Sequence, residues 1–253
     1  MALYFISDLH LRGDVEPKAR AFAAFLAKET CAGDIVVLGG DIFDLFVGDK
    51  AFFRTVFAGV ITAIKGAASR GAQVYFLEGN HDFHVRAVFS GDAPVDVRTD
   101  EFALEWDGKK IWVCHGDEIN RRDYGYLFLR FITRTWFFRA LLGALPGSWI
   151  AAIGGWSSGV SREYSDVARA DAGRIEATRA LFREYARAKT SAGFALVLIG
   201  HSHIADNLSF GASGGSHGAY VNLGFKQREM PYLKLSGAIE GRELGLYTES
   251  GPQ

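Results

Sequence analysis

Five short apolar runs punctuate the chain, at residues 3–7, 35–38, 74–77, 110–114 and 195–199, and each ends in polar or glycine-rich sequence. Continuous apolar runs of this length suit strands covered on both faces. Between the first two runs, Ala, Phe and Leu recur at helical spacing over 17–28. Between the next two, 49–69 reads as a helix closed by Arg70-Gly71. Strand and helix alternate, the order of a layered α/β domain. Residues 102–114 depart from that rhythm, because Asp107-Gly108 separates two strand-like halves and predicts a β-hairpin.

Beyond residue 121 the pattern changes. Residues 124–145 are dense in aromatic and aliphatic side chains, 161–189 form a charged helix pattern rich in Arg and Ala, and a Gly-, Ser- and Trp-containing stretch at 143–159 joins them. Residues 121–190 hold 12 Lys and Arg against 6 Asp and Glu, about +6, so the rest of a chain of net charge −1 is near −7. We read 121–190 as a helical cap inserted within a single domain spanning 1–253, above the candidate chemistry described next. Strand-like runs return at 220–224, 232–235 and 245–247, after a glycine-rich turn at 211–218.

The near-neutral net charge excludes a generally basic nucleic-acid binder. Two cysteines, Cys31 and Cys114, suggest neither a disulfide framework nor a thiolate metal site. The chain enters its first strand without a basic leader and has no apolar run of about eighteen residues, which reads as cytoplasmic and not membrane-spanning.

The polar sequence after the strands carries the chemistry. Asp8-Leu9-His10, Gly40-Asp41-Ile42-Phe43-Asp44, Gly79-Asn80-His81-Asp82, His115-Gly116-Asp117 and Gly200-His201-Ser202-His203 contain five of the seven histidines. Ligands delivered from several strand ends to one sheet edge are how an α/β protein builds a metal site. If the chain stays extended after the first strand, Asp8 and His10 lie on one face and reach one ion, and His201 and His203 repeat that spacing. Asp41 follows Gly39-Gly40, where the backbone can turn sharply, and its two oxygens can bridge ions ~3.5–4 Å apart. Asp8, His10, Asp41, Asn80, His115, His201 and His203 together supply enough donors for two divalent ions.

This ordered set resembles the calcineurin-like metallophosphoesterase family, with its D-x-H, G-D-x-x-D, G-N-H-D/E, H and G-H-x-H pattern, over residues 8–203. The resemblance implies a four-layer α/β/β/α sandwich. It implies Asp8, His10, Asp41 and His203 around one ion and Asp41, Asn80, His115 and His201 around the other. It also implies hydrolysis by dimetal-activated hydroxide, with His81 beside the phosphoryl group as a catalytic acid and Asp82 holding the His81 ring. Asp44 is a candidate supporting residue or turn residue.

The finer spelling of residues 6–11, 40–44, 115–117 and 220–224 is similar to the UDP-2,3-diacylglucosamine diphosphatase branch. That resemblance implies a manganese enzyme of lipid A biosynthesis on the inner face of the cytoplasmic membrane. It implies cleavage of a lipid-linked nucleotide to UMP and 2,3-diacylglucosamine 1-phosphate. One departure stands out, since relatives of that branch commonly carry Arg where this chain has His81. The alternative is a soluble metallophosphoesterase acting on a cyclic nucleotide or another nucleotide diphosphate.

Aromatic residues from Tyr124 to Trp149, spread round more of the helix than one packing stripe needs, suit acyl chains, an anionic membrane surface or a second subunit. Arg121, Arg122, Arg130, Arg134 and Arg139 interleave with them. Arg162, Arg169, Arg174, Arg179, Arg183 and Arg187 are candidates for diphosphate contacts or for pairs with Glu163, Asp166, Glu176 and Glu184. No nucleic acid is expected, and monomer and homodimer are both open.

Overall fold

A computed structural model describes residues 1–91, 95–152, 172–211 and 218–252. The all-apolar runs LYFI, IVVL and LVLI form strands β1 (Leu3–Ile6), β2 (Ile35–Leu38) and β9 (Leu196–Ile199), in which every residue is buried. The first sheet places β1, β2, β4 (Gln73–Leu77) and β6 (Asp96–Arg98) in parallel. On the other side of β1, β12 (Met230–Leu235), β13 (Glu243–Thr248) and β14 (Gly251–Pro252) add antiparallel neighbours. The second sheet runs β10 (Asp206–Phe210), β11 (Gly218–Asn222), β9, β8 (Lys109–Cys114), β7 (Phe102–Trp106), with β11, β9 and β8 parallel. A two-stranded pair, β3 (Phe46–Val47) with β5 (Asp82–Phe83), sits apart from both.

Alternation along the strands assigns the layers. Leu3, Phe5, Ile35, Val37 and Leu77 face the second sheet and pack with Phe102, Leu104, Ile111, Val113, Leu196 and Leu198. Their neighbours Tyr4, Ile6, Val36, Leu38, Val74 and Phe76 face outward, against α1 (Pro17–Glu29) and α3 (Ala58–Ser69). On the far side, Cys114, Val197, Ile199 and Tyr220 pack with Phe182 and Ala186 of helix α6 (Ala172–Ser191). Helix, sheet, sheet, helix is the expected four-layer α/β/β/α sandwich.

Several local outcomes differ from the sequence reading. The helix expected at 49–69 divides at Phe57 into α2 (Ala51–Val56) and α3. There the Asp14 carboxylate, distant in sequence, accepts from the Gly59 and Val60 amides at 2.6 and 3.0 Å, supplying a cap no local pattern reveals. The hairpin of β7 and β8 turns through Asp107 and Gly108, both at positive φ, as the Asp-Gly pair predicts.

The charged half of the expected insert is a core layer. Helix α6 covers the second sheet rather than the ligand edge. Arg183 pairs with Asp206, Arg179 with Glu176, and Arg187 lies over Phe210. The aromatic half forms α4 (Tyr124–Thr133) and α5 (Trp136–Ala144), in which Leu142 alone is buried. Tyr124, Phe128, Phe131, Trp136 and Phe137 are each at least 66% exposed, so this pair is not built as a core layer. Arg162, Arg169, Glu163 and Asp166 lie outside the described residues. Among those described, no helix is long and apolar enough to cross a membrane.

Phe5 is fully buried between the sheets. Phe5→Ala is expected to lower stability by about 3–5 kcal/mol, read as a lower melting temperature. A melting temperature unchanged within error would contradict the inter-sheet layer assigned to it.

Candidate metal centre

Each ligand-bearing segment leaves the carboxyl end of a parallel strand. Asp8 and His10 follow β1, Asp41 follows β2, Asn80 follows β4, His115 follows β8, and His201 and His203 follow β9. Parallel strands open their carboxyl ends on one side, so residues almost two hundred positions apart converge.

The backbone there is not extended. Asp8, His10, Asp41, His201 and His203 all adopt the left-handed region, with φ between 49° and 65°. The extended geometry expected for Asp8 and His10 is therefore replaced by a sharper one. Such φ values cost an L-residue roughly 1–2 kcal/mol, and non-glycine examples cluster at functional sites. Main-chain bonds hold the turn, from Asp8 N to Gly40 O and from His10 N to Asp41 O, each 3.0 Å. Gly40, at φ 90°, leaves room for a neighbour: a Cβ there would lie 2.5 Å from His115 Nδ1.

Two donor clusters result. In the first, His203 Nε2 lies 3.6 Å from Asp8 Oδ1 and 2.9 Å from His10 Nε2. In the second, Asn80 Oδ1 lies 3.0 Å from His115 Nε2 and 3.1 Å from His201 Nδ1. Asp41 Oδ2 stands between them, 3.9 Å from His10 Nε2 and 3.4 Å from His115 Nε2.

The donors fit divalent cations. Ligands about 2.1 Å from one ion stand roughly 3–3.5 Å from each other. Asp8 Oδ2 is buried with no hydrogen-bond partner among the described residues, the orphan a cation would satisfy. His115 Nδ1 must carry its proton, because it lies 3.0 Å from the Gly39 carbonyl, which leaves Nε2 as the ligand nitrogen. Mixed imidazole and oxygen donors suit Mn²⁺, Fe²⁺, Zn²⁺ or Co²⁺.

Asp82 has a different task from the one expected. Its carboxylate does not hold the His81 ring. It accepts from the amides of Gly79, Asp41, Ile42 and Phe43 at 2.7–3.2 Å. Residues 81 and 82 alternate in facing, so Asp82 is turned fully into the protein while His81 stays half-buried. The His81 ring is held instead by its Nδ1 donating to the Asp44 carbonyl, 2.7 Å away. Asp44 Oδ1 lies 3.7 Å from His10 Nδ1, beside the first cluster.

Further side chains support the site. Asn222 donates to Gly200 O and Ser202 Oγ and accepts from Gly224 N, which fixes the His201–His203 turn. Phe225 stacks on His203 at 5.2 Å, and Lys18 Nζ lies 4.6 Å above Phe225 while donating to Lys226 O. Burial pushes Lys18 down to about 8. Tyr126 and Arg130 of α4 both donate to Asp117, at 2.6 and 2.8 Å, and the Tyr126 ring lies 6.2 Å from that of His201. Arg130 and Arg134 are thus committed to the core carboxylates Asp117 and Glu78. Phe83 is buried, and His84 donates from Nε2 to Thr133 O.

Burial works against every charge here. It raises Asp8 to about 6, with Asp41 adding to the rise. It raises Asp82 to about 7, with the Asp41 charge adding to the rise, against the amides of Gly79, Phe43 and Asp41. Burial opposes ionisation of Asp41 and His115 too, but their mutual attraction wins, holding Asp41 well below the usual range and His115 up to about 10. His201 falls to about 4 through burial and the neighbouring His115 charge.

Among the described residues three Asp and His groups, Asp8–His10–His203, His10–Asp44–His81 and Asp41–His115–His201, lie close enough to hold ions and make a dinuclear-type site, suited to a metal-dependent phosphoesterase. The calcineurin-like phosphoesterase pattern matches residues 1–205, and the chain belongs to that family.

Among its relatives, the UDP-2,3-diacylglucosamine hydrolase of Nitrosococcus oceani is 37% identical over 155 residues, 60% of this chain and 61% of its own length. The protein of the same name from Ralstonia nicotianae is 29% identical over 212 residues, 79% of this chain and 76% of its own. That from an Enterobacter species is 32% identical over 146 residues, with 58% and 60% covered. The match thus spans about three fifths of two of these relatives. Vps29 from Entamoeba histolytica, solved with zinc, is a distant overlay at 12% identity and TM-score 0.44, covering 98% of this chain and 92% of its own.

Because the Asp41 carboxylate holds His115 up to about 10, the metal-free protein is expected at pH 7 to carry a proton on His115 that a cation must displace. Mn²⁺ binding is expected to release about one proton per protein at this pH. Calorimetry in buffers of different ionisation enthalpy measures the release, and heats independent of buffer would show that His115 is already neutral. Asp41→Ala removes the oxygen between the clusters and is expected to lose at least one of the two ions, together with turnover. Metal content by elemental analysis is the check, and two ions retained would reject the shared position.

Proposed function

We propose that this protein hydrolyses the pyrophosphate bond of UDP-2,3-diacylglucosamine, giving UMP and 2,3-diacylglucosamine 1-phosphate, as a manganese enzyme of lipid A synthesis. The observation that carries the reading is the exposed aromatic pair α4–α5, tied to the donor edge through Tyr126 beside His201 and Arg130 on Asp117. Apolar surface beside a phosphoesterase centre suits a substrate with acyl chains and a diphosphate. The names carried by the relatives support the same substrate. In this reading α4–α5 is a cap over the reacting group. Its exposed Trp136 and Phe137, with Arg139 between the helices' apolar residues and Trp149 just beyond α5, rest on anionic lipid at the inner face of the cytoplasmic membrane.

Two divalent ions, when bound, supply water activation and neutralise charge on the phosphoryl oxygens. The residues do the rest. Asp8, His10, Asp41 and His203 would hold one ion, and Asp41, Asn80, His115 and His201 the other. The Asp44 carbonyl fixes the proton on His81 Nδ1 and leaves Nε2 for the leaving oxygen. From there His81 stabilises developing charge or passes a proton to the leaving oxygen. Asp82 keeps Asp41 and Asn80 in place from behind.

His81 also favours a second reading, a soluble phosphoesterase of cyclic nucleotides or another nucleotide diphosphate, which needs no acyl-binding surface. The two separate cleanly. The purified protein with Mn²⁺ is expected to convert UDP-2,3-diacylglucosamine to UMP, and failure to do so while cleaving bis-p-nitrophenyl phosphate rejects the lipid substrate.

His81→Ala is expected to keep both ions and lower kcat by roughly 10²–10⁴. The loss should shrink for substrates with better leaving groups. One lost metal equivalent would make His81 a ligand, and unchanged turnover would remove it from the reaction.

A further inference from the structure

The segment from Glu78 to Val85 carries Asn80, His81 and Asp82, and it is gripped from two sides. From the core, Asp82 gathers four amides. From the helical pair, Arg134 at the end of α4 donates through Nη1 to the Glu78 carboxylate and through Nη2 to Gly79 O at 2.8 Å. Its guanidinium lies 5.3 Å from the centre of the Phe83 ring, and Thr133 O, one residue earlier, accepts from His84.

Glu78 is an unusual partner. Its side chain is 1% exposed, its other oxygen accepts from Val85 N at 2.9 Å, and Arg134 is its one ion-pair partner among the described residues. There is no slack where this grip meets the metal centre. A Cβ on Gly79 would lie 2.2 Å from Asp41 Oδ1, so a shift of that peptide is felt at once by Asp41 and by Asn80, the next residue.

We infer that Arg134 is a positioning residue of the metal centre: docking of the helical pair through this guanidinium sets the Asn80 loop and, with it, the second donor cluster. Its side chain is only 16% exposed and both terminal nitrogens donate to the loop, so it acts through the loop and not on substrate. A planar fork reaches carboxylate and carbonyl together, whereas a lysine ammonium is a single point charge. The inference rests on Asn80, His115 and His201 holding an ion.

The test is Mn²⁺ calorimetry on metal-free wild type, Arg134→Lys, Asn80→Ala and the double variant E78Q/R134M. The double variant removes both charges together, so no buried charge is stranded, and the side-chain amide introduced at position 78 still accepts from Val85 N. Its metal-free melting temperature is expected to stay near that of wild type. One of its two ions should bind roughly 10–100-fold more weakly, and the other as in wild type. Adding Asn80→Ala should weaken no further site, and Arg134→Lys should fall between wild type and the double variant. Two ions at wild-type affinity, or equal weakening of both, would overturn the inference. If the double variant does not fold, R134K alone decides by the same measure: wild-type affinity at both sites overturns it, and selective weakening of one supports it. Should Asn80→Ala itself keep both ions tightly, the ligand assignment fails instead.

Discussion

Four main-chain amides converge on the buried carboxylate of Asp82, and this one group decides where two ligand loops sit. Three of the amides belong to Asp41, Ile42 and Phe43 after β2, and the fourth to Gly79 after β4. A carboxylate taken out of water needs every such donor, because each unmade bond would leave a desolvated polar group costing about 1–3 kcal/mol. The need works in both directions. The loops satisfy the charge, and the charge forces them together, placing Asp41 between the clusters and Asn80 against His115 and His201.

Much of this was legible in the sequence. The interior strands β1, β2 and β9 were readable because burial on both faces demands unbroken apolar runs, and the ligands because scarce histidines collect behind them. The short-range geometry was not. Spacing alone offers Asp8 and His10 as neighbours on an extended strand, yet both are left-handed, a state set by hydrogen bonds to Gly40 and Asp41 more than thirty positions away. Asp82 follows His81 directly and invites a side-chain partnership, but the Asp82 carboxylate turns to the amides of two loops and the His81 ring to the Asp44 carbonyl. The break at Phe57 depends on Asp14, which no helical window contains. The position of helix α6 is hidden in the sequence for a related reason. Its charge pattern resembles that of a solvated insert, while Phe182 and Ala186 suffice to bury one face against β9 and β11.

The helical pair and the core obey different rules. Between the sheets, apolar contact decides position and polar atoms are rare. Between α4 and the donor edge, the contacts are charged or polar: Arg130 with Asp117, Arg134 with Glu78, Tyr126 with Asp117, His84 with Thr133 O. Directional bonds fix a surface-lying element at an angle that greasy contact alone would leave loose. They also leave most apolar side chains of α4 exposed, while α5 commits Leu142 and Phe138 to the outer core.

The pairing of β1 with β12 has a consequence for how the chain acquires its structure. Leu3 lies opposite Leu235, and Phe5 opposite Leu233, so one edge of the first strand is completed by residues made more than two hundred positions later. During synthesis β1, β2 and β4 can align early, but the open edge of β1 stays a template for any passing strand until β12 arrives. Contacts of such long sequence separation also slow the closing step, because loop entropy is lost before the pairing rewards it. Closure of the sheet therefore waits on a seam in its interior, with the apolar flank of β1 uncovered until β12 is made.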